Sequence, residues 1–253
     1  ICGRMELACR KPDLSKLEDL VHGILSKKPS VTIGVVAKYL DNEDTYLSIA
    51  EALRAASWAH GHKLELKWID AEKIASTPRL LEGLDGMIVP GGFGERGVEG
   101  KILAAKYARE NNLPYLGICL GLQVAVIEFA RNVASLAGAH STEFDRDTPH
   151  PVVHIMPDQL GVPLGGSMRL GDYDTTLTKG SHAHEIYGQT DIVERHRHRY
   201  EVNNEYRELL ASKGLSFSGT SYEGELVEFV ELADHPYFIA SQAHPEFRSR
   251  PLT

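Results

Sequence analysis

The chain has 253 residues, 42% of them hydrophobic and 8% aromatic, enough for one large α/β domain with a real core. A formal net charge of -8 argues against general affinity for nucleic acid or anionic membranes, and no apolar run approaches the roughly 20 residues that cross a bilayer. Cys2, Cys9 and Cys119 form no disulfide framework and the first residues lack a signal-peptide core, so a soluble, cytoplasmic protein is expected in which one thiol does chemistry.

Residues 1–30 stand apart from the rest. Leu14, Leu17, Leu20, Val21 and Ile24 share one face of a helix predicted over 13–25, and Pro29 closes the segment. The continuous apolar run at 31–37 predicts a strand buried on both faces of a parallel sheet. Asp44 is a candidate N-cap for a helix with the stripe Tyr46, Ile49, Ala50 and Leu53, ending near Gly61. Leu64, Leu66 and Trp68 alternate with Glu65 and Lys67 as the next strand, and 86–89 is another. Residues 98–112 read as a helix, 115–119 as a strand and 120–133 as the helix behind it. Such alternation predicts an α/β fold: a doubly wound, mostly parallel sheet with flanking helices, binding its ligand at the carboxyl ends of the strands. From about residue 150 short strands and loops take over, Pro- and Gly-rich over 157–166. They predict a small antiparallel excursion or lid before 237–242 returns to the sheet.

At 115–121 (YLGICLG) one cysteine stands between two glycines where the strand pattern turns into a helical one. That is the form of a nucleophile elbow, a sharp turn that holds its central residue in a strained conformation and tolerates only small neighbours. It also sets the Cys119 thiol at a helix N-terminus, where unpaired amides favour the thiolate. The bland alternative is a buried core cysteine, the usual fate of a lone one.

A thiol nucleophile needs a base, and the base needs a group that fixes its orientation. His244 and Glu246 follow the last apolar run at an i, i+2 spacing that turns both side chains to one cleft. Upstream, the apolar run 86–89 opens into Pro90, Gly91 and Gly92, a loop whose amides can approach an oxyanion closely. His182, His184, His196 and His198 invite a zinc reading. Arg195, Arg197 and Arg199 interleave the last two, however, and no cysteine or carboxylate completes a ligand set, so no metal is assigned. Arg195 and Arg197 are read as a solvated or salt-bridged strand face.

In this order, the Pro90–Gly92 loop, the cysteine elbow and the His244, Pro245, Glu246 triplet resemble the class I, triad-type glutamine amidotransferases. Within them, the stretches FGERGVEGK (93–101), STEF (141–144) and ERHRHRYEVNN (194–204) are similar to the amidotransferase domain of the CTP synthase family, over roughly residue 12 to the C-terminus. The resemblance implies a catalytic set of Cys119, His244 and Glu246. It implies a glutamine pocket of Gly92, Leu120, Gly121, Leu122, Gln123, Glu143, Arg199 and Tyr200, in which Gly92 and Leu120 offer oxyanion amides, Glu143 pairs with the substrate ammonium, and Arg199 and Tyr200 contact glutamine. Arg96, Gly97, Val98 and Glu99 would belong to a mobile lid linked to activation by GTP.

By the same resemblance, residues 1–30 are a connector from an absent N-terminal amidoligase domain and 31–253 are the amidotransferase domain. The expected reaction is hydrolysis of L-glutamine to glutamate and ammonia through a cysteine thioester. Ammonia would pass to the amidoligase, which converts UTP to CTP with ATP and Mg²⁺, in an enzyme that forms a homo-oligomer, a tetramer at full length. No cofactor is expected in this domain itself. A catalytically silent domain that only binds a partner would have no need of the complete Cys, His, Glu set, and a γ-glutamyl hydrolase on the same scaffold would not carry the FGERGVEGK and HRHRYE stretches.

Overall fold

The structure, a computed structural model, describes residues 4–6, 12–40, 43–156 and 168–251. Twelve strands and six α-helices follow one another along these residues. The first half reads α1 (Ser15–Leu25), β1 (Ser30–Ala37), α2 (Leu47–Ala59), β2 (Lys63–Asp70), β3 (Gly86–Val89), α3 (Val98–Glu110), β4 (Tyr115–Ile118) and α4 (Leu120–Asn132). The second reads β5 (His140–Ser141), β6 (Pro151–Ile155), β7 (Arg169–Leu177), α5 (His182–Tyr187), β8 (Asp191–His198), β9 (Tyr200–Val202), α6 (Arg207–Ser212), β10 (Leu215–Ser221), β11 (Val227–Leu232) and β12 (Phe238–Ser241).

Nine strands form one sheet in the order β2-β1-β3-β4-β12-β11-β10-β7-β8. The five from β2 to β12 are parallel, and from β12 to β8 every pairing is antiparallel. The excursion expected after residue 150 is thus a large part of the main sheet, with a separate three-stranded sheet β5-β6-β9 beside it. The stretch 157–166 lies outside the described residues. Sequence masks the extent of this half because β8 turns Glu194, His196 and His198 inward along with Ile192, so its buried face does not read as apolar.

The central helix α4 is mostly apolar and buried from Leu120 to Ala130, with Gln123 and Glu128 the buried polar exceptions, as befits a helix covered on every side. Against it packs α3, whose Ala104, Ala105 and Ala108 let the two backbones approach closely. Tyr115 of β4 stacks on Phe238 of β12 with centroids 4.3 Å apart, a pair worth about 0.5–1.5 kcal/mol beyond its area. These contacts fix β4 and β12 side by side, Ser241 opposite Ile118. The chain segments that follow the two strands therefore emerge together at one edge.

Two boundary expectations are corrected. Asp44 is not the N-cap of α2: it lies in a 3-10 turn (Glu43–Tyr46), and Tyr46 takes the cap position with no side-chain capping hydrogen bond. The helix of 13–25 starts at Ser15, where the Asp13 carboxylate accepts from the Ser15 amide.

Candidate active site

Cys119 has φ 55° and ψ -105°, a left-handed backbone that a non-glycine residue adopts only when its surroundings impose it. Three constraints impose it here. The Cys119 amide donates to the Ser241 carbonyl at 2.7 Å, pinning the elbow to the end of β12. An added Cβ at Gly117 would stand 2.7 Å from the Gly121 carbonyl, and one at Gly121 would stand 2.0 Å from the Val89 carbonyl oxygen. Only glycines therefore fit on either side of the cysteine. The amides of Leu120 and Gly121, in the first turn of α4, have no acceptor within the helix and carry the positive end of its dipole.

His244 Nδ1 and Glu246 Oε1 are 2.8 Å apart, both residues buried, and the His244 ring stacks on Phe247. Its amide is held by the Arg195 carbonyl at 2.8 Å. Nε2 is buried without a hydrogen bond and turned to the cysteine side: a Cβ on Gly91 would meet His244 Cε1 at 3.0 Å and Cys119 Cβ at 3.4 Å. Burial lowers the affinity of this imidazole for a proton, but the Cys119 sulfur and the Glu246 carboxylate overcome it and raise the pKa to about 10. The structure thus brings Cys119, His244 and Glu246 together at the carboxyl ends of β4 and β12.

Cys119 forms part of the wall of two cavities. One, of about 440 Å³, is lined by Gly92, Gln123, Glu143, Arg199 and Tyr200 among others. Glu143 accepts from the Gly94 amide at 2.9 Å. Burial raises its pKa, while that hydrogen bond and the nearby Lys38 ammonium oppose the rise. The other cavity, of about 230 Å³, lies on the His244 and Glu246 side, with Tyr39, Tyr46 and Phe247 in its walls.

Other expected pocket residues fall elsewhere. Leu122 is fully buried in the hydrophobic core, and the Leu120 side chain joins it there, leaving only backbone for the pocket. Gly121 contributes its carbonyl to the Tyr115 hydroxyl at 2.8 Å. Of the lid segment, Val98 is buried and Glu99 pairs with Arg131, both in the first turn of α3 rather than in a loop. Gly97 caps that helix at φ 71°, and Arg96 donates to the Lys38 carbonyl while its guanidinium lies over the Tyr39 ring.

Three residues were not predicted for the site. Arg197 is not an idle surface arginine: its guanidinium lies over the Phe93 ring, it lines both cavities, and its carbonyl is 3.8 Å from the Cys119 sulfur. Gln242 donates to that sulfur at 3.7 Å and accepts from Gln123, and Lys38 donates to the Phe93 and Gly94 carbonyls. The i, i+2 relation of Gln242 to His244 could have found the first of the last two; nothing in the sequence marks the second. His196 and His198 are buried and 3.1 Å apart, held neutral by burial and by Arg169. Among the described residues no group of three or more His, Cys, Asp or Glu is placed to hold a metal ion.

The family model described as "Glutamine amidotransferase class-I" matches residues 41–253. The chain is similar to the CTP synthase of Carboxydothermus hydrogenoformans, 56% identical over 98% of this chain and 47% of that protein. It is also similar to the CTP synthase of Bacillus subtilis, 52% identical over 99% of this chain and 48% of that protein. It spans about half the length of the curated relatives it matches. Among solved structures it is similar to the glutaminase domain of Trypanosoma brucei CTPS with bound acivicin, at a TM-score of 0.81 and 41% identity over 86% of this chain and 87% of that one.

Proposed function

As the chain belongs to the class I glutamine amidotransferases, we propose that it is the glutaminase half of a CTP synthase and hydrolyses L-glutamine through a thioester on Cys119. The observation that carries this reading is the left-handed Cys119 at the N-terminus of α4, facing a His244 whose other nitrogen is bonded to Glu246. Glutamine enters the larger cavity with its ammonium toward Glu143 and its carboxylate toward Arg199 and Tyr200. The sulfur attacks the side-chain amide carbon, and the amides of Gly92 and Leu120 receive the oxyanion. His244, held by Glu246, passes a proton to the departing ammonia and then activates the water that opens the thioester.

Ammonia then goes to an amidoligase domain that uses ATP and Mg²⁺ to turn UTP into CTP, GTP serving as activator through the segment around Arg96. Helix α1, whose Leu17, Val21 and Leu25 are exposed along with Leu14 just before it, is the connector to that domain, and the full-length enzyme is a homo-oligomer. The test is glutamate release from glutamine. The chain alone is expected to turn over slowly, and to accelerate about a hundredfold or more when the amidoligase domain, nucleotides and GTP are supplied, since a few kcal/mol of docking energy suffices to shift the loop at Gly91 and Gly92 or the lid after it. Equal turnover with and without the partner would mean that the site is preformed. No release under either condition would overturn the function.

A further inference from the structure

Lys101, the last residue of the FGERGVEGK stretch, has no part in the chemistry above. It sits in the first turns of α3 with no exposed surface, and its ammonium donates to the Pro90 carbonyl at 2.7 Å. The charged groups that act on it among the described residues are Lys38, from the end of β1, and Cys119, from the elbow; no carboxylate does. Burial pushes its pKa down to about 7 and Lys38 adds to the fall, while the Cys119 sulfur pulls the other way. A buried cation without a carboxylate is costly, and a methionine of similar length would fill the same space without that cost. Nor can the lysine swing out with its helix. A Cβ on Gly100 would stand 1.7 Å from the Ala71 carbonyl oxygen, so the start of α3 is in backbone contact with the turn after β2.

The peptide that Lys101 holds leads into the site. With the Pro90 carbonyl tied inward, the trans amide of Gly91 faces the opposite way, and Gly91 itself lies against His244 and Cys119. Farther along the loop, the Phe93 and Gly94 carbonyls are tied to Lys38 at 2.7 and 2.6 Å. Two ammonium groups thus hold this loop by its carbonyls. Resting on the reading of Cys119 as nucleophile, we infer that Lys101 is a positioning residue. It fixes the Pro90–Gly92 turn against Cys119 and His244, and it supplies a buried positive charge to the anion that forms at the sulfur and on the substrate oxygen.

The experiment compares the parent chain with Lys101→Met, Lys101→Arg and Cys119→Ala in thermal melting and in glutamine hydrolysis with the amidoligase domain, nucleotides and GTP supplied. Lys101→Met is expected to lower kcat about a hundredfold with KM within about threefold, because the lost interaction is made mainly in the transition state. Its melting temperature should hold or rise, and Lys101→Arg should recover about tenfold or more of the lost rate. A kcat for Lys101→Met within about threefold of the parent overturns the inference and leaves the Cys119 reading standing. A melting temperature lowered by about 10 °C in both lysine variants also overturns it, since Lys101 would then be a packing residue. If the parent is no faster than Cys119→Ala, the nucleophile reading itself fails, and this inference with it.

Discussion

Cys119→Ala is expected to release no glutamate above the uncatalysed background, a fall in kcat of about 10⁴-fold or more, while still binding glutamine and melting within about 3 °C of the parent. The sulfur is the group that attacks, and no hydroxyl or second thiol of the described residues stands beside it in the larger cavity's wall apart from the Tyr200 phenol. Alanine at φ 55° carries the same backbone strain as cysteine, so the elbow neither gains nor loses much. Glu246→Gln should behave differently, retaining residual activity because Glu246 orients the base without itself attacking. His244 titrates near 10 because the Cys119 sulfur and the Glu246 carboxylate outweigh burial. Without the carboxylate that value falls, the imidazolium that protonates the leaving ammonia is lost at lower pH, and the alkaline limb of kcat/KM moves down. An unmoved limb would show that Glu246 does not govern His244. The sign for stability agrees. The contribution of this histidine is full below its ordinary 6.5 and is lost as pH rises through about 10.

Gly121→Ala is expected to be among the most damaging single-methyl changes in the domain. Its Cβ would stand 2.0 Å from the Val89 carbonyl oxygen and 3.1 Å from the carbonyl carbon. Val89 cannot yield, since it is fully buried and pairs with Gly117 across β3 and β4. The start of α4 must move instead, carrying the Leu120 amide and Cys119 out of register with His244. Overpacking of this kind costs about 3 kcal/mol or more, which lowers the melting temperature of a chain this size by about 6–12 °C. Misplacement of the reacting groups by about an ångström should lower kcat about a hundredfold further. Gly23→Ala is the control: nothing lies within 4 Å of its added Cβ in α1, and a neutral or slightly stabilising effect is expected. Normal melting and turnover in Gly121→Ala would contradict the tight elbow.

The parallel half of the sheet was readable because its strands are continuous apolar runs and its helices carry regular stripes. The elbow was readable because two glycines around a cysteine have few other uses. What stayed hidden has physical reasons. Leu120 and Leu122 share the elbow motif, yet motif matching does not say where a side chain points, and both went to the core. Arg197 alternates with buried histidines on β8 and so read as solvent-facing. It is exposed, but at a point where solvent is the mouth of the cleft. Lys38 and Lys101 are both buried, and a lysine in a sequence reads as surface by default. Their targets are backbone carbonyls of the Pro90–Gly94 loop, which leave no mark on side-chain pattern.

Covalent trapping of the nucleophile is the most direct measurement. The chain would be incubated with 6-diazo-5-oxo-L-norleucine, a glutamine-shaped diazoketone that alkylates a thiolate with loss of nitrogen, and then weighed intact and mapped by peptide. One adduct per chain is expected, on Cys119, formed more slowly as glutamine is added, with Cys2 and Cys9 unmodified. Equal modification of the three cysteines, an adduct on Cys2 or Cys9 instead, or labelling indifferent to glutamine would contradict a Cys119 nucleophile seated in a glutamine pocket.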